Sequence, residues 1–188
     1  MLEAVGVSTA IVALAEIGDK TQLLAIVLAA RFRKPTPIIL GILVATFLNH
    51  AAAATIGYFI AQWLSGTTFQ IVVGVAFLAM AAWALIPDKE DERASSASGT
   101  SVFLTTLVAF FIVEIGDKTQ IATSLLAARF HDIVAVTIGT TLGMMLANVP
   151  AVYLGEAATK IVPLRYVRWA AAFLIAATGI WILVAALT

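Results

Sequence analysis

EIGDKTQ occupies Glu16–Gln22, and the same seven residues return at Glu114–Gln120. Both copies sit in stretches that are otherwise almost wholly apolar, Val5–Ala30 and Ser101–Ala128. A hydrocarbon core about 30 Å thick takes roughly 20 residues of helix, so each stretch is long enough to cross a bilayer with two acids and a base inside it.

The rest of the chain agrees with a membrane setting. Of 188 residues 62% are hydrophobic and only 12% charged, with a mean hydropathy of +1.03, too apolar for a soluble domain. Four further stretches have spanning length: Pro37–Gln62, Thr68–Pro87, Ile133–Ala158 and Tyr166–Leu187. The expectation is an all-α integral membrane protein with six transmembrane helices. Asp88–Thr100, DKEDERASSASGT, reads as a solvated charged linker between the third and fourth. The net charge is zero and no long basic tract occurs, so no nucleic-acid partner is implied. Cysteine is absent, which removes disulfides, thiolate metal sites and Cys nucleophiles together. Met1-Leu2-Glu3 lacks the basic start of a cleavable signal, so the first stretch is expected to be a retained helix.

Loop charge sets the expected orientation. Arg31, Arg33, Lys34, Lys89, Arg93, Lys160, Arg165 and Arg168 all flank the first, third and fifth loops, against Arg129 alone on the other side. The positive-inside rule puts those three loops, the central linker included, in the cytoplasm and both termini outside. Lys20 and Lys118 are the remaining basic residues, both within expected spans.

A shift of 98 residues superimposes more than the motif: Leu28–Phe32 falls on Leu126–Phe130, Gly41 on Gly139, Gly57 on Gly155 and Trp83 on Trp181. Repetition at this scale implies two halves, residues 1–87 and 101–188, joined by the linker 88–100. With three helices per half, the second half must enter the membrane inverted, the architecture of secondary transporters whose ion sites lie near the midplane between repeats.

On a continuous helix, positions i, i+3 and i+4 share a face, which would gather Glu16, Asp19 and Lys20 on one side and Glu114, Asp117 and Lys118 on another. At about 2.5–3.5 kcal/mol per charged residue at the membrane centre, six lipid-facing charges would cost roughly 15–21 kcal/mol. A fold is stable by only about 5–15 kcal/mol, so these side chains must pair, hydrate or bind an ion. Facing each other between the halves would permit all three. Gly18 and Gly116 allow close approach or a loosened backbone, and Thr21, Gln22, Thr119 and Gln120 add neutral donors and acceptors. Four carboxylates and two ammonium groups carry a net charge of −2, which one divalent cation neutralises. Carboxylate, amide and hydroxyl oxygens suit hard ions such as Ca²⁺, Mg²⁺ or Mn²⁺. The same carboxylates can take protons, and competition of metal and proton for one site is the basis of antiport.

Weaker candidates lie on the second and fifth expected helices. Asn49, His50 and Asn148 could line the pathway, with His50 falling on Asn148 under the shift, although a membrane His can equally donate one hydrogen bond to a backbone carbonyl. Gly139-Thr140-Thr141-Leu142-Gly143 reads as helix packing, Pro150 as a bend, and the four tryptophans as interface anchors.

With Glu-x-Gly-Asp-Lys-Thr present once in each half, the whole chain resembles the family of cation/proton exchangers that includes Golgi Ca²⁺/Mn²⁺ transporters, chloroplast Mn²⁺ transporters and bacterial Mn²⁺ exporters. The resemblance implies divalent-cation/H⁺ antiport with Glu16, Asp19, Glu114 and Asp117 as the cation site, no resident cofactor and no enzymatic activity. The organellar members' long N-terminal extension is missing, so a bacterial inner membrane is the expected location. Two other readings compete with it. Asp19 and Asp117 could form an intramembrane aspartyl-protease dyad. A Lys after each Asp and a Glu three residues before it are poor neighbours for two acids sharing one proton. The other reading, export of a small solute through a similar inverted repeat, predicts a larger apolar pocket. The sequence leaves the oligomeric state open.

Overall fold

The computed structural model describes residues 1–63, 66–86, 101–154 and 164–188. These residues form eight helices and no strand: α1 (Leu2–Glu16), α2 (Lys20–Phe32), α3 (Pro35–Trp63), α4 (Thr67–Ala84), α5 (Val102–Glu114), α6 (Lys118–Phe130), α7 (Ile133–Leu154) and α8 (Leu164–Leu187). α3, α4, α7 and α8 are long and apolar enough to cross a bilayer singly. In hydrocarbon no water can satisfy backbone groups, and a helix is the form that satisfies them within one segment. The linker 88–100, Lys160 and Gly155 lie outside the described residues.

The two stretches expected to be continuous helices are each broken at the motif, which corrects the shared helical face inferred for Glu16, Asp19 and Lys20 and for their counterparts. α1 stops at Glu16 and α2 starts at Lys20; α5 stops at Glu114 and α6 starts at Lys118. The cause lies in the residues between. Ile17 and Ile115 are extended, with ψ of 114° and 120°, and Gly18 and Gly116 follow with φ of +82° and +76°. For a residue with a Cβ this left-handed region costs about 1–2 kcal/mol, and glycine enters it freely. Asp19 and Asp117 then return to extended backbone as N-caps. Both half-helices also end alike: Arg33 (φ 52°) and His131 (φ 51°) are left-handed caps whose N–H groups donate to Ala29 O and Ala127 O.

Packing crosses between the halves. α1 lies along α7 and α5 along α3, while α3 also packs on α6 and α7 on α2. Gly139 and Gly143, the small residues of the expected packing pattern, let α1 approach so closely that a Cβ on Gly139 would stand 2.7 Å from Val5 O. α4 and α8 pack on each other, against α6 and α1 respectively.

The distribution of polarity is that of a protein in lipid. Phe173, Trp181, Leu146 and Ile112 are exposed, whereas Glu16, Glu114, His50, Asn148 and Thr46 are buried. Trp63 and Trp169 are also exposed, as interface anchors require. Pro150 lies inside α7.

Candidate cation site

Breaking a helix inside the protein leaves the last carbonyls of one half-helix and the first N–H groups of the next without intrahelical partners. Here the motif supplies several partners. Asp19 N–H donates to Glu16 O (3.0 Å) and Asp117 N–H to Glu114 O (3.1 Å). Gln22 Oε1 accepts from Gly18 N–H (2.8 Å) and Gln120 Oε1 from Gly116 N–H (2.7 Å). The two glutamines therefore secure the breaks, and Gln22 is further anchored by donating to Ala147 O (3.0 Å) on α7. Asp117 accepts from Thr119 N–H (3.3 Å) and Thr119 Oγ1 (3.0 Å), whereas Asp19 makes no such cap bond to its own helix.

The breaks bring carboxylates of both halves together. Glu16, Asp19 and Asp117 are all buried, and one oxygen from each lies within 4.8 Å of the others. Lys20 Nζ reaches across the halves to Asp117 Oδ1 at 3.0 Å. Three carboxylates and one ammonium carry −2 when ionised, the charge one divalent cation balances. Thr21 Oγ1 donates to Glu16 Oε2, and Glu16 Oε1 has no protein partner. The breaks bring the negative ends of α1 and α5 to the site together with the positive ends of α2 and α6, which Asp19 and Asp117 cap.

Glu114, the fourth motif acid, is not in this trio and is held by α3. Asn49 Nδ2 donates to its Oε2 (3.2 Å) and Thr46 Oγ1 to its Oε1 (3.4 Å), while His50 Nε2 stands 3.4 Å from Oε1. Glu114 is still near enough to Glu16 to act on it electrostatically. Thr46 is the residue the sequence reading missed. Its spacing from Asn49 and His50, three and four residues, puts all three on one helical face and was the available signal.

Lys118 and Asn148 make other contacts. Lys118 Nζ donates to Ile86 O at 2.9 Å, just past the end of α4, and lies 5.8 Å from the Trp83 ring centroid. Asn148 donates to Met144 O within α7 (3.1 Å), leaving its Oδ1 without a partner. A narrow crevice of about 30 Å³ runs past Gly18, Asp19 and Lys118 to Ile86 and Arg168. Its size suits a water or a small ion far better than a peptide or an organic solute.

Comparison with known proteins agrees with this chemistry. The GDT1 family profile, described as divalent cation/proton antiporter, matches residues 4–92 and 102–188. A protein of Vibrio cholerae serotype O1 named "Putative manganese exporter" is 50% identical over 169 residues, which cover 89% of this chain and 84% of that protein. No solved structure matches. The chain belongs to the GDT1 family of divalent cation/proton antiporters, and is thus a transporter and not an enzyme.

Proposed function

We propose that the protein exports Mn²⁺ from a bacterial cytoplasm in exchange for protons, with Glu16, Asp19, Asp117 and Glu114 as the cation-binding carboxylates. The observation that carries this reading is the meeting of Glu16, Asp19 and Asp117, acids of both motifs, within 4.8 Å. The kinship with a protein named for manganese export supports the choice of ion.

The architecture proposed with it is six membrane crossings, in which α1–α2 and α5–α6 each count as one broken crossing. Residues 1–87 and 101–188 then form two inverted repeats about the cytoplasmic linker 88–100. The reciprocal packing of α1 on α7 and α5 on α3 supports that relation, as does the interruption of the family match between residues 92 and 102. Both termini lie outside in this arrangement, and the crevice from Asp19 to Arg168 opens toward the cytoplasm.

Energetics favour exchange over uniport. Moving a divalent ion out against 100 mV, inside negative, costs roughly 4.6 kcal/mol, and two entering protons cancel that term. Metal and proton share carboxylates, so acidifying the binding side should weaken apparent Mn²⁺ affinity. The test is proteoliposomes in which Mn²⁺ flux and internal pH are recorded together. Wild type should move protons against Mn²⁺, and Glu16→Gln and Asp117→Asn should lose both fluxes. Mn²⁺ flux without proton movement, or a variant that keeps one flux alone, overturns the mechanism.

A further inference from the structure

His50 lies on α3 with no solvent exposure, and neither ring nitrogen makes a hydrogen bond. A buried polar group without a partner costs about 1–3 kcal/mol, so a ring in this state needs a physical reason. The usual remedy, donation to a backbone carbonyl, is not used. Nε2 instead points at Glu114 Oε1 and stops 3.4 Å away without hydrogen-bond geometry. Neighbouring Asn49 and Thr46 already donate to Glu114, so the carboxylate does not depend on the imidazole to be satisfied.

A separation of 3.4 Å is, however, the spacing of two ligands on one ion. At first-shell distances of about 2.0–2.6 Å, ligands at right angles stand about 2.8–3.7 Å apart. We infer that His50 Nε2 and Glu114 Oε1 jointly ligate the transported cation, and that the imidazole tilts selection toward a transition metal and away from Ca²⁺ and Mg²⁺. The inference rests on the proposed cation-antiport site and adds to it the basis of its ion choice.

The chemical argument is one of donor type. Ca²⁺ and Mg²⁺ are served by oxygen alone, as the trio of Glu16, Asp19 and Asp117 provides. Manganese accepts mixed carboxylate and imidazole sets, as in di-manganese helical bundles where Glu and His project into one core. Nitrogen therefore discriminates where oxygen does not. The repeat sharpens the point: position 148, equivalent to His50 in the other half, is Asn, so only the first half offers an imidazole, and it faces Glu114 of the second. The two halves would present the ion with different coordination, oxygen near Glu16 and mixed near Glu114.

The chain has two histidines, His50 and His131, and His131 is a helix cap beside Tyr58, which makes it an internal control. Purified protein loaded with Mn²⁺ alone would be examined by pulsed electron paramagnetic resonance for nitrogen hyperfine coupling, with ordinary histidine and with histidine carrying the heavy nitrogen isotope. Wild type and His131→Asn should show a coupling that follows the isotope, and His50→Asn should lose it. In vesicles, His50→Asn and His50→Gln should lower Mn²⁺ transport relative to Ca²⁺ by at least the roughly 10-fold that loss of even an outer-shell partner typically costs. A wild type that binds Mn²⁺ without histidine coupling, or an unchanged ion ratio in both His50 variants, overturns the role of His50 while leaving the antiport site standing. A wild type that neither binds nor moves Mn²⁺ overturns both.

Discussion

The two copies of EIGDKTQ are the same in sequence and almost the same in backbone, yet they do different things. Ile17 and Ile115 differ by 6° in ψ, and Gly18 and Gly116 by 6° in φ. Partners diverge from there. Lys20 pairs with Asp117 in the other half, while Lys118 reaches Ile86 O at the end of α4. Glu16 joins the carboxylate trio, and Glu114 is held by Thr46 and Asn49 of α3, with His50 3.4 Å away. The positions equivalent to those three on α7 are Met144, Ala147 and Asn148, of which only Asn148 has a polar side chain. Seven residues thus set a local conformation, and the helix laid across them sets its chemistry. The α4–α8 pair adds to the difference by packing against α1 and α6 and not equally on the equivalent α5 and α2.

The lysines should break the symmetry most. In Lys20→Met the buried Asp117 loses the ammonium 3.0 Å away, beside two other acids, and losing one partner of a buried pair costs about 3–5 kcal/mol. Metal-free protein in detergent should melt well below wild type, and added Mn²⁺ should restore more stability than in wild type, because the site is one charge more negative. Transport should slow at the release step. Lys118→Met removes at least the charged hydrogen bond to Ile86 O, about 1.5–3 kcal/mol. A Lys20→Met protein that melts with wild type, or that gains no more from Mn²⁺ than wild type does, would show that the pair with Asp117 has no energetic weight.

Sequence reading reached the helices, the doubled motif and its acids because these depend on hydropathy and on the expense of charge in hydrocarbon. It missed the breaks because α1 and α2 both read as good helix, and nothing in a hydropathy pattern distinguishes a glycine that packs from one that turns. Gly139 faces α1, whereas Gly18 reverses φ. Nor could the pairing of Lys20 with Asp117 be read, since both motifs offer the same Lys and Asp, and long-range packing decides which acid meets which base. Thr46 was missed although it shares a helical face with Asn49 and His50, because its role shows only once Glu114 is placed opposite it.

The glycines should show the two motifs at their most alike. A Cβ on Gly116 would meet no atom within 4 Å, so Gly116→Ala isolates the conformational cost of φ +76°, about 1–2 kcal/mol. Gly18→Ala, at φ +82°, should cost at least as much. Asn, which tolerates the left-handed region, should recover part of the loss at position 116 where Ala does not. Thermal melts of the three variants check this; an alanine at position 116 without effect would mean that the break does not depend on glycine.

The glutamines carry the smallest and most discriminating difference. Each accepts from the glycine N–H of its break, but Gln22 is buried and also donates to Ala147 O, tying the first break to α7. The bond of Gln120 to Gly116 is exposed. Leu keeps most of the side-chain volume and removes both polar ends. Gln22→Leu then leaves a sheltered N–H unpaired and removes the tie to Ala147 O, at about 1–3 kcal/mol, whereas Gln120→Leu should stay near the 0.5–1.5 kcal/mol of a typical hydrogen bond. Amide exchange at Gly18 and Gly116 offers a second readout, rising in Gln22→Leu from a protected baseline and changing little in Gln120→Leu. The reverse ranking would mean that the anchor to Ala147 O adds nothing to the first break.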